Sequence, residues 1–122
     1  PQITLRKSRN ATIGSHTVVN SGDALGVFAF SGSNGSSYND GALIQATVDG
    51  TPGVSDMPVR LDFFTTPDGS ATPVLNLQIK NTGQVLVTAL KTTGSATGKT
   101  VVCVDVATGQ LYASTSGVAC AN

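Results

Sequence analysis

Apolar and polar residues alternate along this sequence with a period of two, and no segment shows the 3.6-residue period that is typical of a helix. The clearest run is 75–80, where Leu75, Leu77 and Ile79 are separated by polar residues. Gly, Ser, Thr and Asn together make up about two fifths of the 122 residues, and none of the acidic residues is Glu. Because these residues favour turns and strands over helices, the chain is predicted to be all-β.

Short strand patterns recur along the chain, separated by turn signals built on Gly, Pro, Asn and Asp. Two pairs of strands are typical of hairpins, one turning at 81–83 and the other at 108–109. Without a βαβ pattern, we expect antiparallel hairpins and meanders that form a sandwich or prism. The predicted strands are 3–7, 25–30, 43–48, 59–65, 75–80, 85–88, 101–106 and 111–114.

Two of the predicted strands carry large apolar residues on both faces. In one of them Phe28 and Phe30 alternate with Val27, and in the other Phe63 adjoins Phe64. A strand that is apolar on two sides must be covered twice. Either a second sheet of the same chain or another copy of the chain could supply the second cover.

Composition divides the chain into three parts. Residues 1–90 are predicted to form the main β body, 91–100 a connector, and 101–122 a terminal hairpin module. The module contains both cysteines, Cys103 and Cys120. A disulfide between them would close a loop of roughly 16 residues and stabilise the module by about 3 kcal/mol. The alternative is a pair of buried thiols, as in a protein of a reducing compartment.

The charge balance argues against several classes of partner. Seven basic and seven acidic residues give a net charge of zero, and the chain has no Trp and two Tyr. Nucleic-acid binding usually needs a basic surface and stacking aromatics, so no nucleic-acid partner is expected. No run approaches eighteen consecutive apolar residues, and we expect no membrane insertion.

Catalytic and metal-binding motifs are weak. His16 is the only histidine, and no serine has the Gly-x-Ser-x-Gly surroundings of a nucleophile elbow. The stretch ending in Gly98-Lys99-Thr100 has three residues after Gly94 where a phosphate-binding loop needs four. Most Asp residues adjoin Gly or Pro and fit turns better than a carboxylate pair. We therefore expect no catalytic residue, no metal site, no cofactor and no enzymatic activity.

Several segments combine a turn motif with a flanking strand. They are Ser21-Gly22-Asp23-Ala24-Leu25-Gly26, Val48-Asp49-Gly50-Thr51-Pro52-Gly53 and Phe64-Thr65-Thr66-Pro67-Asp68-Gly69, with a later hairpin at Asn81-Thr82-Gly83. Together they resemble tail fibre and tailspike proteins of bacteriophages over roughly residues 9–90. The end of the chain, 102–120, is similar to the segment that precedes a self-cleaving intramolecular chaperone in many such fibres.

The resemblance implies an interwoven homotrimer that forms part of a virion tail fibre or spike. It would contribute to attachment to the bacterial surface, through a surface glycan or an envelope protein, and would catalyse no reaction. The chain departs from many relatives at 75–79 and at Val59, which affects strand and turn chemistry. Three copies would cover strands that are apolar on two sides and would pair exposed strand edges.

Two other functions remain open. A monomeric carbohydrate-binding β-sandwich, accessory to a depolymerase, would use exposed aromatics, and Tyr38 and Tyr112 are the candidate contacts to a glycan or receptor. An enzyme that hydrolyses polysaccharide in a groove between subunits would need carboxylates from different chains.

Overall fold

A computed structural model describes residues 1–88, 102–104, 107–108 and 111–113. The chain divides into two compact units, Pro1–Lys91 and Thr92–Asn122. The first unit contains a five-stranded antiparallel sheet in which every strand pairs with its neighbours in sequence. The all-β prediction is confirmed. The strands are β1 (Ala24–Ser33), β2 (Tyr38–Val48), β3 (Val59–Thr65), β4 (Val74–Ile79) and β5 (Val85–Val87).

The longest hairpin joins β1 and β2 through a tight turn. The Asn34 side-chain oxygen accepts hydrogen bonds from the backbone N–H groups of Ser36 and Ser37, at 2.9 and 2.8 Å. Gly35 has a φ of 96°, a conformation that a residue with a Cβ adopts only with strain. Asx hydrogen bonding and one glycine thus fix the turn. The β1–β2 register shifts twice, between Ala24/Gly26 and between Phe30/Ser31.

A register shift in β4 changes which side chains share a face. Phe63 pairs with Leu77, whereas the next residue, Phe64, pairs with Leu75. Paired residues of an antiparallel ladder share a face, and Phe63 and Phe64 point to opposite faces. Leu75 and Leu77 therefore lie on opposite faces of the sheet. The alternation in the sequence had placed both leucines on one face. The extra residue, Asn76, is a bulge, and its side-chain amide donates a 2.7 Å hydrogen bond to the hydroxyl of Thr65.

The strand predicted at 3–7 is wrong for the single chain. Residues 1–8 have no assigned strand, and no backbone hydrogen bond within the described residues involves 3–7. The segment passes over the sheet at Gly26, where a Cβ atom would collide with the Leu5 side chain. A segment placed over a face has no neighbouring strand edge with which to form a ladder.

The core of the first unit is small because its five strands lie in one layer. Only Val19 and Val48 are buried apolar residues within the described part of the chain. No second sheet covers either face within residues 1–88. A sandwich or prism therefore needs a layer that these residues do not supply.

In the second unit, β6 (Val102–Val104) and β7 (Leu111–Ala113) pair antiparallel. This pairing agrees with the hairpin predicted there, and residues 101, 105–106 and 114 of the two predicted strands lie outside the described residues. The predicted connector at 91–100 lies outside the described residues.

Candidate functional site

One face of the five-stranded sheet is almost entirely apolar. The register places Phe28, Ile44, Phe63, Leu77 and Val87 in one row that crosses all five strands. We call this surface the apolar face. Flanking rows add Gly26, Ala46, Leu61, Ile79 and Val85 on one side and Phe30, Ala42, Thr65 and Val74 on the other, with Thr65 as the polar exception.

Much of the apolar face is open to solvent. Phe28 is 50% exposed, Phe30 is 59% exposed, and Val85 and Ile79 are also exposed. Leu5 crosses one end of the face and, with Phe28 and Leu61, lines an open apolar hollow of about 240 Å³. Water therefore contacts apolar side chains on this face that cannot hydrogen-bond to it.

The opposite face has a polar centre built around Asp62, which is only 2% exposed. One carboxylate oxygen accepts hydrogen bonds from the Thr47 hydroxyl at 3.1 Å and from Arg60 Nε at 3.0 Å. The other accepts a 2.7 Å hydrogen bond from the Gln78 amide. Thr47 also accepts a hydrogen bond from Gln45 at 2.8 Å. We call these five residues the Asp62 network.

Arg60 links this network to the end of β2. Its guanidinium contacts Asp62 through Nε and Asp49 through Nη1, at 3.0 and 3.2 Å. Burial lowers the pKa of Arg60, but the hydrogen bond and the charge of Asp62, followed by those of Asp49, outweigh burial and leave this pKa raised. One cation is thus shared by two carboxylates, and its bond to Asp49 links β3 to the end of β2.

The carboxylates do not gather into a site for a metal ion. Within residues 1–88 and the short described pieces that follow, no group of three His, Cys or Asp side chains is placed to hold one. His16 lies in an exposed loop between residues 8 and 19. Asp40 accepts a 2.6 Å hydrogen bond from Ser31 near the end of the β1–β2 hairpin. Asp49 and Asp62 are joined through Arg60, which forms an ion pair with each of them.

A second ion pair anchors the N-terminal loop. Arg9 donates hydrogen bonds to both oxygens of Asp23, at 2.7 and 3.0 Å. The bond from Arg9, and then one from the backbone N–H of Asn20, lower the pKa of Asp23 to about 2. This pair joins the N-terminal loop, at Arg9, to the turn that directly precedes β1, at Asp23.

The predicted glycan contacts lie in different units. Tyr38 begins β2 at the end of the long hairpin, pairs with Ser33, and is 79% exposed. Tyr112 lies in β7 and pairs with Cys103 in β6. Cys120 lies outside the described residues, so the disulfide between Cys103 and Cys120 stays a prediction.

Scans against models of known protein families and against curated proteins found no match. Within the described residues, no helix is long and apolar enough to cross a membrane.

Sequence reasoning identified part of this arrangement. It singled out Phe28, Phe30, Phe63 and Phe64 as residues that need cover, but it did not find the Asp62 network. Two opposite charges two residues apart in one strand, Arg60 and Asp62, were the available signal. Its partners could not be found because three of the four lie on other strands and only register brings them together.

Proposed function

We propose that this chain is a trimeric structural segment of a bacteriophage tail fibre or spike, that it contributes to attachment to the host surface, and that it has no catalytic activity. The proposal joins the resemblance of residues 9–90 to the physical demand of the apolar face. Its location would be the virion, and its first partner would be another copy of the same chain.

The observation that carries the proposal is the exposure of the apolar face. Aromatic side chains bury about 150–250 Å² each, so Phe28 and Phe30 together leave roughly 200 Å² of apolar surface in water. Ile79 and Val85 extend the same surface. Soluble monomers rarely expose contiguous apolar patches larger than a few hundred Å², and such patches mark interfaces.

The charge content supports self-association as the way to cover this face. Only 11% of the residues are charged, against about 25% in an average soluble domain. The net charge is zero, so copies of the chain do not repel one another at neutral pH. An apolar face on such a chain is therefore best satisfied by the same face of another copy.

Solution mass tests the trimer directly. We expect light scattering at micromolar concentration to give three times the 12.3 kDa chain mass. Phe28→Asp places a charge on the exposed part of the apolar face, at β1, and should dissociate the trimer, whereas Val54→Asp, at a fully exposed loop position, should leave the mass unchanged. Circular dichroism confirms that each variant keeps its sheet. A monomeric wild-type chain would overturn the proposal.

The alternative function, a monomeric carbohydrate-binding module, is favoured by one observation. Tyr38 projects from the end of a long hairpin and is largely exposed, as a sugar-stacking aromatic must be. A glycan array with wild type, Tyr38→Ala and Tyr112→Ala separates the functions. A monomer that loses glycan binding on either substitution supports the alternative; a trimer that binds no glycan supports a purely structural shaft.

A further inference from the structure

We infer that residues 3–7 of one copy add as a strand to the outer edge of β1 in a neighbouring copy. This inference rests on the trimer proposed above and names the contact that closes it. Two stretches of backbone, on different parts of the chain, lack strand partners within the described residues.

The first stretch is the N-terminal segment. Ile3 and Leu5 alternate with Thr4 and Arg6, which is a strand pattern. Within the described residues, however, no backbone hydrogen bond involves 3–7, and Ile3 is 79% exposed. Leu5 of this segment lies against Gly26 of the sheet. A segment with strand chemistry thus has no strand partner among the residues that the structure describes.

The second stretch is the outer edge of β1. This ten-residue strand pairs with β2 on one side, and within residues 1–88 no backbone group bonds to its other side. Phe28 and Phe30 leave this edge apolar and exposed. A long, exposed, apolar strand edge is a template for pairing with another chain. The other sheet edge, β5, has only three residues.

The two stretches are compatible in length. The register shift between Ala24 and Gly26 lies in β1, at Leu25, whereas the shift between Phe30 and Ser31 skips Gly41 of β2 and leaves β1 itself regular. Residues 26–33 of β1 are therefore continuous, and a five-residue strand such as 3–7 can pair along this edge without meeting the irregularity at Leu25.

Side-chain pattern selects the register of the added strand. Because the side-chain period is two, Ile3 and Leu5 must lie on the same face of the sheet. On the side of Phe28 they extend the apolar face to a sixth strand, which ends with Lys7 on the same side. Thr4 and Arg6 then lie on the face that carries the Asp62 network. A shift of one residue would place Arg6 beside Phe28.

The symmetry of this contact agrees with a trimer. The donated segment and the accepting edge are different surfaces, so the contact is heterologous and closes into a ring when the rotation is threefold. Pairing of β1 with β1 would instead be isologous and would give a twofold dimer.

Photo-crosslinking between labelled chains tests the contact. We would place p-benzoyl-phenylalanine at position 3 and mix chains of natural and heavy isotope content before irradiation. We expect crosslinked peptides of mixed label that join position 3 to 26–33. Crosslinks confined to one chain, or to other regions of the neighbour, would overturn the inference. If the mass were still that of three chains, the proposed function would stand. A monomeric wild-type chain would overturn both.

Proline substitution provides an independent test. Pro lacks the backbone N–H, and Thr4→Pro and Leu5→Pro together sample both alternating positions of the segment. We expect at least one of them to raise the concentration of half-dissociation of the trimer at least tenfold. Gln2→Pro, outside the pairing segment, is the control. Equal trimer stability in all three variants contradicts the inference.

Gly26→Ala separates the contact between chains from the contact within one chain. A Cβ at position 26 would collide with Leu5 of the same chain. This Cβ would project from the face of the sheet, so it would not block the backbone groups at the outer edge of β1. We expect this variant to remain trimeric, with slow hydrogen exchange at 3–7. A trimer in which the 3–7 amides exchange as fast as in an unfolded peptide contradicts the inference.

Discussion

Asp62 is a buried charge whose position depends on three donors from three side chains. It accepts hydrogen bonds from Thr47, Arg60 and Gln78, and no buried side-chain nitrogen or oxygen in the described residues lacks a partner. Buried polar groups that are all satisfied stabilise one arrangement of strands, whereas removal of one member leaves the others unpaired. The network is therefore expected to be sensitive to a single substitution.

We expect Asp62→Asn to lower the free energy of unfolding by about 2–3 kcal/mol. The side-chain NH₂ group of Asn would face one of the three groups that donate to Asp62, so that two donors would meet. The substitution also removes the negative charge that faces Arg60. Urea denaturation measures the loss. The control is Asp68→Asn, in an exposed turn that Asn also favours, where a change within about 0.5 kcal/mol is expected. Equal effects of the two substitutions would show that the Asp62 network contributes no stability.

The Arg9–Asp23 pair predicts a pH dependence. The pKa of Asp23 is lowered from 3.8 to about 2, so its stabilising effect is complete above pH 3.8 and is lost as the pH falls through 2. We expect the difference in urea midpoint between wild type and Asp23→Asn to be constant from neutral pH to about pH 5 and to shrink towards zero near pH 2. A difference that stays constant down to pH 2 would contradict this assignment.

At the scale of elements, the turn of the β1–β2 hairpin fixes the position of Tyr38. Gly35 has a positive φ, whereas Gly32 in the same hairpin does not, and neither would bring an added Cβ within 4 Å of another atom. The two glycines therefore differ in backbone conformation and not in available space. This makes them a matched pair for substitution.

We expect Gly35→Ala to destabilise the first unit by about 1 kcal/mol because Ala is strained at positive φ. Gly32→Ala should be neutral or slightly stabilising because Ala has fewer unfolded conformations to lose. Thermal unfolding followed by circular dichroism measures both variants. The same melting temperature for the two would indicate that the turn does not retain its conformation in solution.

At the scale of the whole molecule, the apolar face links stability to association. A chain that is stabilised by copies of itself has a melting temperature that depends on its concentration. We expect the melting temperature of wild type to rise over a hundredfold increase in protein concentration, and that of Phe28→Asp to stay constant. Differential scanning calorimetry at several concentrations measures both. A wild-type melting temperature that does not change with protein concentration would contradict trimerisation.

Local sequence patterns predicted most of the strands and their turns. The segments around Phe28, Ile44 and Phe63 were predicted as strands because alternation and flanking turn residues are local signals. The segment 3–7 carries the same alternation but forms no ladder in the single chain. Alternation reports which side chains prefer burial, and it cannot report whether a strand edge lies within reach.

The sequence alone determined that this protein is built of antiparallel strands and that two of them have two apolar faces, because both properties follow from the spacing of residues along the chain. Only the tertiary structure decided which residues meet. The bulge at Asn76 moved Leu75 to the face opposite Leu77, and the register of three strands placed Gln78 and Thr47 on Asp62. Register depends on the sum of contacts between strands that are distant in sequence, so no local pattern contains it.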